Sequence, residues 1–527
     1  MKTKITYLIL SCFFLIGSFS CSDFLEEKSQ NMAYVEKVSD LNELLIGEGY
    51  WPVSTGFYEV DTSNASQIST WQQLTADMTK YFPYIHLMDD DVSEYLYGNI
   101  GTSEKNYIRM KAANLHHWQP DPFLDSNNEE IEDNNWRKTW SRIAAMNSII
   151  YQIGLLRDHE DDQQLCNRVE GEARFLRAQY YFWLANLYGQ PYRKTSATTD
   201  LCIPLKTSEE VEDKYFSRAT SAEVWGQIVS DLEKATVLLR GIEQTTKYRT
   251  NQTAAFVLLS RVHLFMENYE QAVAYADSAL KKIDYRLLDL NTHQEGSPVY
   301  VNSTEVIFTH GPNLMAILHA PIYTSYVDAY TSCYTSSDDL MACFSEKDLR
   351  RKAFFIERPS PGSGYRCVKT HNYNECVSDF FAIRLPEAYL NKAEALAILG
   401  REDEAITTIQ ELRANRFTDA DAISESGEEL VNFIRDERRR ELCFEGHRWF
   451  DLRRYAVNSV YPYEKEIRHA SMIYSNNFVY QEGVYVLHPY SEDAAAYTLP
   501  IPNYAIEFNE GYLRNEVRPT RDMIANQ

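Results

Sequence analysis

The residues best suited to chemistry in this 527-residue chain are the carboxylates and guanidinium groups that alternate between residues 435 and 454, which read RDERRRELCFEGHRWFDLRR. Glu437 and Glu441 recur with the neighbouring apolar residues at spacings of three and four. This spacing predicts a helix that carries both carboxylates on its apolar face. Because an unpaired buried carboxylate is costly, we expect both glutamates to be paired.

Paired acids also suggest general acid and base catalysis, as in glycosidases. Each acid of this stretch, however, has an arginine within one helical turn, and a nearby positive charge lowers a carboxylate pKa. The pattern therefore favours a structural ion network over catalysis. Arg174 and Arg177, in the helical stretch GEARFLRAQYYFWLANLY, are the predicted partners of Glu437 and Glu441. Gly446 is predicted to end the helix that carries Glu437 and Glu441, which we call the signature helix.

Helical patterns elsewhere indicate how these groups are positioned. The helix predicted over residues 171–188 is apolar on two faces, which is typical of a helix packed between others. Residues 252–281 and 385–413 each predict a pair of helices with small residues at the contact, the tetratricopeptide pattern. We therefore predict a mainly α fold, in which tetratricopeptide-like helix pairs form a scaffold beneath an irregular loop-rich face with a few short strands. The scaffold is assigned mainly to residues 130–282 and 380–455, and the face to insertions at about 50–125 and 284–376.

Three motifs resemble one family. The arginine-rich stretch, the GEARFLRA helix and the closing segment YTLPIPNYAIEFN are similar to the SusD/RagB family of surface nutrient-binding lipoproteins. The resemblance extends from the N-terminus to about residue 515, which indicates a single domain over residues 21–527. It implies an outer-membrane lipoprotein at the cell surface that passes an oligosaccharide to a SusC-like TonB-dependent transporter. It implies no catalysis, no cofactor and no metal.

The N-terminus predicts export. Two lysines precede an apolar run over residues 5–19, which is shorter than the ~20 residues needed to cross a bilayer. The small residue before Cys21 resembles a lipobox, and the resemblance implies cleavage of residues 1–20 and a lipid anchor on Cys21. Ser18 stands where an aliphatic residue is usual, so a plain secretory signal is the alternative. Cys12 is a rival lipid site, but it would leave too short an apolar core.

Aromatic residues in loop-like segments are the predicted ligand contacts. The chain has 37 tyrosines and eight tryptophans, and their flat rings with a polar edge suit stacking on sugars. Aromatic residues among Gly, Asn and Pro follow residue 94, and four tyrosines recur between residues 321 and 335. For the second group, a helical core face is the alternative reading. The predicted ligand-binding residues are Tyr95, Tyr97, Asn99, Trp118, Tyr323 and Tyr326, with Asn99 bonding sugar hydroxyls.

Charge and cysteine content exclude other classes. The formal charge of −24, with no basic stripe, excludes nucleic acid as a partner. The run Asp89–Asp91 lacks the alternating oxygens and glycine turn of a calcium loop, so no metal is predicted. Beyond Cys12 and Cys21 seven cysteines remain, an odd number without zinc spacing. Cys367 and Cys376 are candidates for a disulfide in an exported protein.

Two alternatives to glycan capture remain. A peptide-binding, RagB-like receptor is a variation that the family allows. A glycan-cleaving enzyme would need an unpaired acid pair beside the aromatic residues, and Asp89–Asp91 with Asp121 is the nearby cluster.

Overall fold

The computed structural model describes a chain that is mainly helical. The described residues are 35–51, 83–95, 107–125, 127–131, 133–294, 296–311, 313, 319, 334–357, 364–370, 377–380, 382–476 and 478–526. Among them, no helix combines the length and the hydropathy needed to span a bilayer. The predicted residues Cys21, Tyr97, Asn99, Tyr323, Tyr326 and Cys376 lie outside this description.

The α-helices are numbered in chain order. They are α1 (Val38–Leu44), α2 (Tyr107–His116), α3 (Asn134–Leu156), α4 (Gln163–Tyr188), α5 (Ser221–Leu238), α6 (Gln252–Phe265), α7 (Tyr269–Leu280), α8 (Asp338–Ala342), α9 (Arg350–Phe354), α10 (Leu385–Ile398), α11 (Glu402–Arg413), α12 (Gly427–Leu442), α13 (Arg448–Ala456), α14 (Tyr490–Asp493) and α15 (Asn503–Phe508). A π-helical turn, Leu45–Gly49, follows α1, and 3-10 turns cover Pro83–Leu87, Arg157–His159 and Ala494–Tyr497.

The strands are short apart from one hairpin. They are β1 (Val92–Glu94), β2 (Val306–Phe308), β3 (Tyr334–Ser336), β4 (Phe355–Glu357), β5 (Tyr365–Cys367), β6 (Ile383–Arg384), β7 (Ile467–Ser475), β8 (Phe478–Leu487) and β9 (Ile524–Ala525). They form a four-stranded sheet in the order β1-β3-β5-β4, the pair β2-β6, and a three-stranded sheet in the order β7-β8-β9. Each described pairing between these strands is antiparallel.

The helices stack in an order that follows the chain. Helices α3 to α7 each pack on the next, α10 packs on α7, and α11 and α12 pack on α10. In the pair α6 and α7, Ala272, Ala276 and Ala279 are fully buried, and Ser260 Oγ donates to the Ala272 carbonyl over 2.8 Å. Small side chains therefore let these helices approach closely. The predicted tetratricopeptide-like scaffold is confirmed.

Helix α4 lies at the centre of this stack. The Asp162 side chain accepts the Leu165 N–H at its start, and Gly189 follows its last residue. From Gly171 onward almost all of its side chains are buried, as expected for a helix with two apolar faces. The large hydrophobic core runs from α1 through α4 to α13 and the closing segment, and a second cluster fills the space among α7, α10, α11 and α12.

Candidate ligand-binding face

The described ends of the two segments predicted to contact ligand lie at one end of the four-stranded sheet. Strands β1 and β3 are antiparallel, with Glu94 opposite Tyr334. The carboxyl end of β1 therefore lies beside the amino end of β3. Tyr95 directly follows β1, at the same end of the sheet as Tyr334. We call this end of the sheet, defined by Glu94, Tyr95 and Tyr334, the ligand face.

Glu94 anchors the ligand face to two other elements. Its carboxylate accepts Arg109 Nε over 3.1 Å and the Met472 N–H over 2.7 Å. Arg109, on α2, also donates to the Met472 carbonyl on β7 over 2.8 Å. Burial raises the pKa of Glu94, and the charge of Arg109 opposes that shift. One carboxylate thus joins β1, α2 and the long hairpin.

A layer of stacked rings lies beneath the face. The His469 ring stacks on His116 at 3.9 Å and on Trp118 at 4.1 Å between ring centroids. The His117 ring stacks on Tyr485 at 4.0 Å. Burial lowers the pKa of His117 to about 3 and that of His469 to about 4. These rings form a dry, mostly uncharged support for the sheet.

Trp118 belongs to this support and not to the surface. Only 1% of its area is exposed, and its Nε1 donates to the Met88 carbonyl over 2.9 Å. Its backbone has φ 50°, just beyond the end of α2. The prediction of Trp118 as a stacking residue for ligand is therefore wrong. The chain turns back after α2, and this turn carries the indole into the core.

The acidic run that precedes β1 is buried and paired. Arg439 Nε contacts Asp91 Oδ1 at 2.8 Å, and Arg448 Nε contacts Asp90 Oδ1 at 2.7 Å. Burial alone would raise the pKa of Asp90, but Arg439 and Arg448 hold it well below its usual range. The carboxylate oxygens of Asp89, Asp90 and Asp91 come within 4.8 Å of one another. Because Arg439 and Arg448 already pair with Asp90 and Asp91, and the Asp89 carboxylate accepts the Asp91 N–H, the residues present fit an ion-paired anchor better than a metal site.

Glu437 and Glu441 are both completely buried on the signature helix α12. Each carboxylate is shared among several arginines, all but Arg440 from other segments, and these arginines lower the pKa of both acids despite their burial. Both glutamates therefore lie in a buried ion network. The contacts are Glu437 with Arg350 at 2.5 Å, Arg413 at 2.7 Å and Arg440 at 2.9 Å, and Glu441 with Arg416 at 2.8 Å and with Arg350 and Arg384 at 3.2 Å.

The predicted partners of those glutamates are wrong. Arg174 and Arg177 contact Asp231 on α5 instead, at 3.1 and 2.7 Å between nitrogen and oxygen. Arg177 also donates to Asn147 on α3 over 2.9 Å. These two arginines therefore form a separate ion cluster that joins α3, α4 and α5. The sequence offers many arginines, and spacing within one helix does not indicate which of its neighbours an arginine faces.

Two sequence profiles match the chain. The profile described as "SusD family" matches residues 367–517, and the profile described as "Starch-binding associating with outer membrane" matches residues 23–264. The chain belongs to the SusD/RagB family.

Individual relatives agree with this assignment. SusD-like protein P2 of Formosa agariphila is 24% identical over 405 residues, which cover 63% of this chain and 74% of the relative. SusD-like protein P25 of the same organism is 22% identical over 527 residues, which cover 86% of this chain and 90% of the relative.

Solved structures share the SusD fold. A SusD superfamily protein from Bacteroides vulgatus superposes with a TM-score of 0.65 at 18% identity, covering 92% of this chain and 100% of that one. Surface glycan-binding protein A from Bacteroides uniformis gives a TM-score of 0.54 at 18% identity, covering 80% and 89%.

Of the predicted ligand residues in this SusD/RagB chain, Tyr95 lies at the ligand face. Its side chain is partly buried, and its role in binding stays a prediction.

The sequence did not indicate the roles of Glu94 and Arg109, whose pairing holds the ligand face. It also did not indicate the three arginines around Glu441, which are Arg350, Arg384 and Arg416. The segment KDLRRKAFF, which contains Arg350, gives no sign of the partner of that arginine. The Cys367 thiol is buried and has no disulfide partner among the described residues. Cys376 lies outside the described residues, so the disulfide stays a prediction.

Proposed function

We propose that this chain is a cell-surface glycan-binding lipoprotein that captures an oligosaccharide and passes it to a SusC-like TonB-dependent transporter. The observation that carries the proposal is the pairing of Glu94 with Tyr334, because it brings the ends of both predicted ligand segments to one face. The matching profile described as starch-binding and the structural likeness to a surface glycan-binding protein support the same class of ligand.

Ligand contact is assigned to residues on the two segments of this face. Tyr95, Tyr97, Tyr323 and Tyr326 stack on sugar rings, and Asn99 bonds ring hydroxyls. Stacking on aromatic rings tolerates different sugars, so the polar groups around the rings select among them.

Binding without cleavage is supported by the state of the buried acids. Glycoside hydrolysis needs one carboxyl group with a raised pKa, free to protonate the leaving oxygen. The arginines around Glu437 and Glu441 lower the pKa of both acids instead. Burial raises the pKa of Asp89, Asp91 and Glu94 near the ligand face, but all three carboxylates are buried. Those of Asp91 and Glu94 are also paired with Arg439 and Arg109, as Asp90 is with Arg448, so they are not free to protonate a leaving oxygen.

The lipid anchor is assigned to Cys21. The matched profile begins at residue 23, close to the start of the chain that would remain after cleavage. We expect Cys21→Ala to abolish incorporation of labelled palmitate and to release the protein from the membrane fraction. Cys12→Ala is the matched control and should leave both unchanged. Retention of Cys21→Ala in the membrane fraction would contradict the anchor.

The binding function is tested by calorimetry with residues 22–527 against host and plant glycans, with release of reducing ends measured in the same mixtures. We expect heat of binding without release. Release of reducing ends would identify a glycan-cleaving enzyme. Binding of protein digests with no response to any glycan would identify a peptide receptor. Capture of the SusC-like transporter by the native lipoprotein, measured in detergent extracts, tests the partner.

A further inference from the structure

Two adjoining cavities lie beside the closing segment of the chain. Their volumes are about 420 and 610 Å³, and both are lined by Pro500, Asn515, Glu516 and Arg518. Neither cavity is lined by a residue of β1 or β3. We call the two cavities together the arginine groove. Their volumes lie in the range of small-ligand sites.

Arg518 lines both cavities, and its hydrogen-bonding groups are incompletely paired. It is buried, yet in the part of the chain that the structure describes it makes no ion pair. Its Nη1 and Nη2 donate to the carbonyls of Thr498 and Ala496 over 3.2 and 3.4 Å, and its Nε has no acceptor among the described residues. Burial and the charge of Arg521 lower the pKa of Arg518 to about 10. An anion placed here would remove that electrostatic cost.

The smaller cavity has an excess of positive charge. Arg193, Arg218, Arg514 and Arg518 line it, against two carboxylates, Asp200 and Glu516. Asp200 is already paired with Arg193 at 3.0 Å. Because the whole chain carries a formal charge of −24, such a local excess of cations is unusual and favours an anionic ligand.

The larger cavity supplies an apolar wall. Phe123, Pro502 and Tyr504 line it, and the Arg137 guanidinium lies 5.0 Å from the centroid of the Tyr504 ring. Flat apolar surfaces of this kind pack against sugar rings. Four carboxylates, Asp121, Glu130, Asp133 and Glu516, also line this larger cavity, so the excess of cations is confined to the smaller one. The groove therefore offers a wall for a sugar ring in the larger cavity and a cationic region for an acidic substituent in the smaller one.

We propose that the arginine groove is a second ligand site, which binds an acidic oligosaccharide with a sugar carboxylate at Arg518. Guanidinium groups bind carboxylates through paired, charge-assisted hydrogen bonds, which gives the site its preference for acids over neutral sugars. The proposal rests on the glycan function proposed above, since that function makes a sugar the carrier of the carboxylate.

The test is calorimetry of the mature chain with oligogalacturonate and oligoglucuronate, using neutral galactose and glucose oligomers of equal length as controls. We expect the uronates to bind, and Arg518→Gln to weaken that binding tenfold or more while neutral glycans are unaffected. Arg518→Lys keeps the charge and should lose less. Arg514→Ala changes an exposed position of the rim and should weaken uronate binding several-fold even if Arg518→Gln folds poorly. Arg468→Gln, an exposed change on β7 with the same loss of charge, should have no effect.

Several results would overturn the proposal. They are equal affinity for acidic and neutral oligomers, no uronate binding, and uronate binding that is unchanged in Arg518→Gln and Arg514→Ala. Displacement of the uronate by equimolar sulfate or phosphate would indicate an adventitious anion site only. If Tyr95→Ala weakens the binding of neutral glycans while Arg518→Gln leaves uronate binding unchanged, the arginine groove is excluded as a ligand site and the ligand face is retained. If uronates bind through Arg518 and Tyr95→Ala changes nothing, the ligand face fails and the groove stands.

Discussion

Arg439 Nε donates to Asp91 Oδ1 over 2.8 Å and so joins two residues that lie 348 positions apart in the chain. Asp91 immediately precedes β1, the strand that carries the ligand face. Arg439 also contacts Asp90 at 3.2 Å and Asp339 at 2.9 Å, and Asp339 lies on α8, which follows β3. The signature helix α12 thus holds the residues just before β1 and just after β3, the two strands of the ligand face.

Replacing Arg439 should destabilise the protein strongly. Arg439→Met leaves the buried carboxylates of Asp90 and Asp91 short of a partner, and breaking a buried ion pair on one side costs about 3–5 kcal/mol. Urea unfolding at pH 7 measures this loss of unfolding free energy. The control is Arg468→Met, whose exposed pair with Glu466 should contribute less than about 1 kcal/mol. Equal unfolding free energies of the two variants would show that the ion pairs of Arg439 with Asp90 and Asp91 do not stabilise the fold.

Gly446 is expected to tolerate no side chain. Its φ is +76°, and a Cβ there would lie 3.0 Å from Phe380 Cα. Gly400 has nearly the same backbone, with φ +75°, but a Cβ there meets no atom within 4 Å. We expect Gly400→Ala to cost about 1 kcal/mol from backbone strain alone and Gly446→Ala to cost about 1–3 kcal/mol more. Denaturant unfolding of the two variants, side by side, separates strain from the clash. Similar losses of unfolding free energy in the two variants would mean that Phe380 moves aside at little energetic cost.

Tyr95 and Trp118 should separate binding from stability. Tyr95→Ala is expected to weaken glycan binding by about 1–3 kcal/mol, by analogy with other aromatic stacking surfaces, and to change unfolding little. Trp118→Ala empties a buried site and should lower the unfolding free energy by about 3–5 kcal/mol. Calorimetry and denaturant unfolding on both variants give the two quantities. Unchanged affinity in Tyr95→Ala removes that residue from the site.

Acid should weaken the fold partly through His263. Its ring stacks on Tyr275, and burial lowers its pKa to about 4, below the value of about 6.5 in an unfolded chain. As the pH falls below 6.5 the unfolded state binds the proton first, so stability is complete above pH 6.5 and declines toward pH 4. Between pH 7 and 5 this histidine should cost about 2 kcal/mol.

The measurement is unfolding free energy at several pH values in wild type and His263→Gln. The variant should lose about 2 kcal/mol less than wild type over that interval, whatever its stability at pH 7. Parallel pH profiles in the two proteins would show that His263 has the same pKa in the folded and unfolded states.

The scaffold was predictable from local patterns because helical periodicity depends only on residues that are close in sequence. The small residues of α7 and the apolar stripes of α4 indicate their own contacts. The burial of Glu437 and Glu441 was predictable for the same reason, since an acid on an apolar stripe must be paired. Their partners were not predictable, because Arg350, Arg384 and Arg416 come from other segments and only the tertiary fold brings them together. Trp118 resembled a loop residue because the turn that buries it depends on one positive φ.

The pairing of Glu94 with Tyr334 has a consequence for diversification. Arg109 returns to Glu94 at one end of the segment 96–106, and His319 forms a bridge with Tyr334 at one end of the segment 320–333. Each insertion therefore starts and finishes close to the same residue pair. Closing a loop costs only about 0.6 kcal/mol more for each doubling of its length. A change in the length or sequence of either insertion can therefore alter the proposed ligand contacts, while the buried ion pairs that hold the fold together keep their partners.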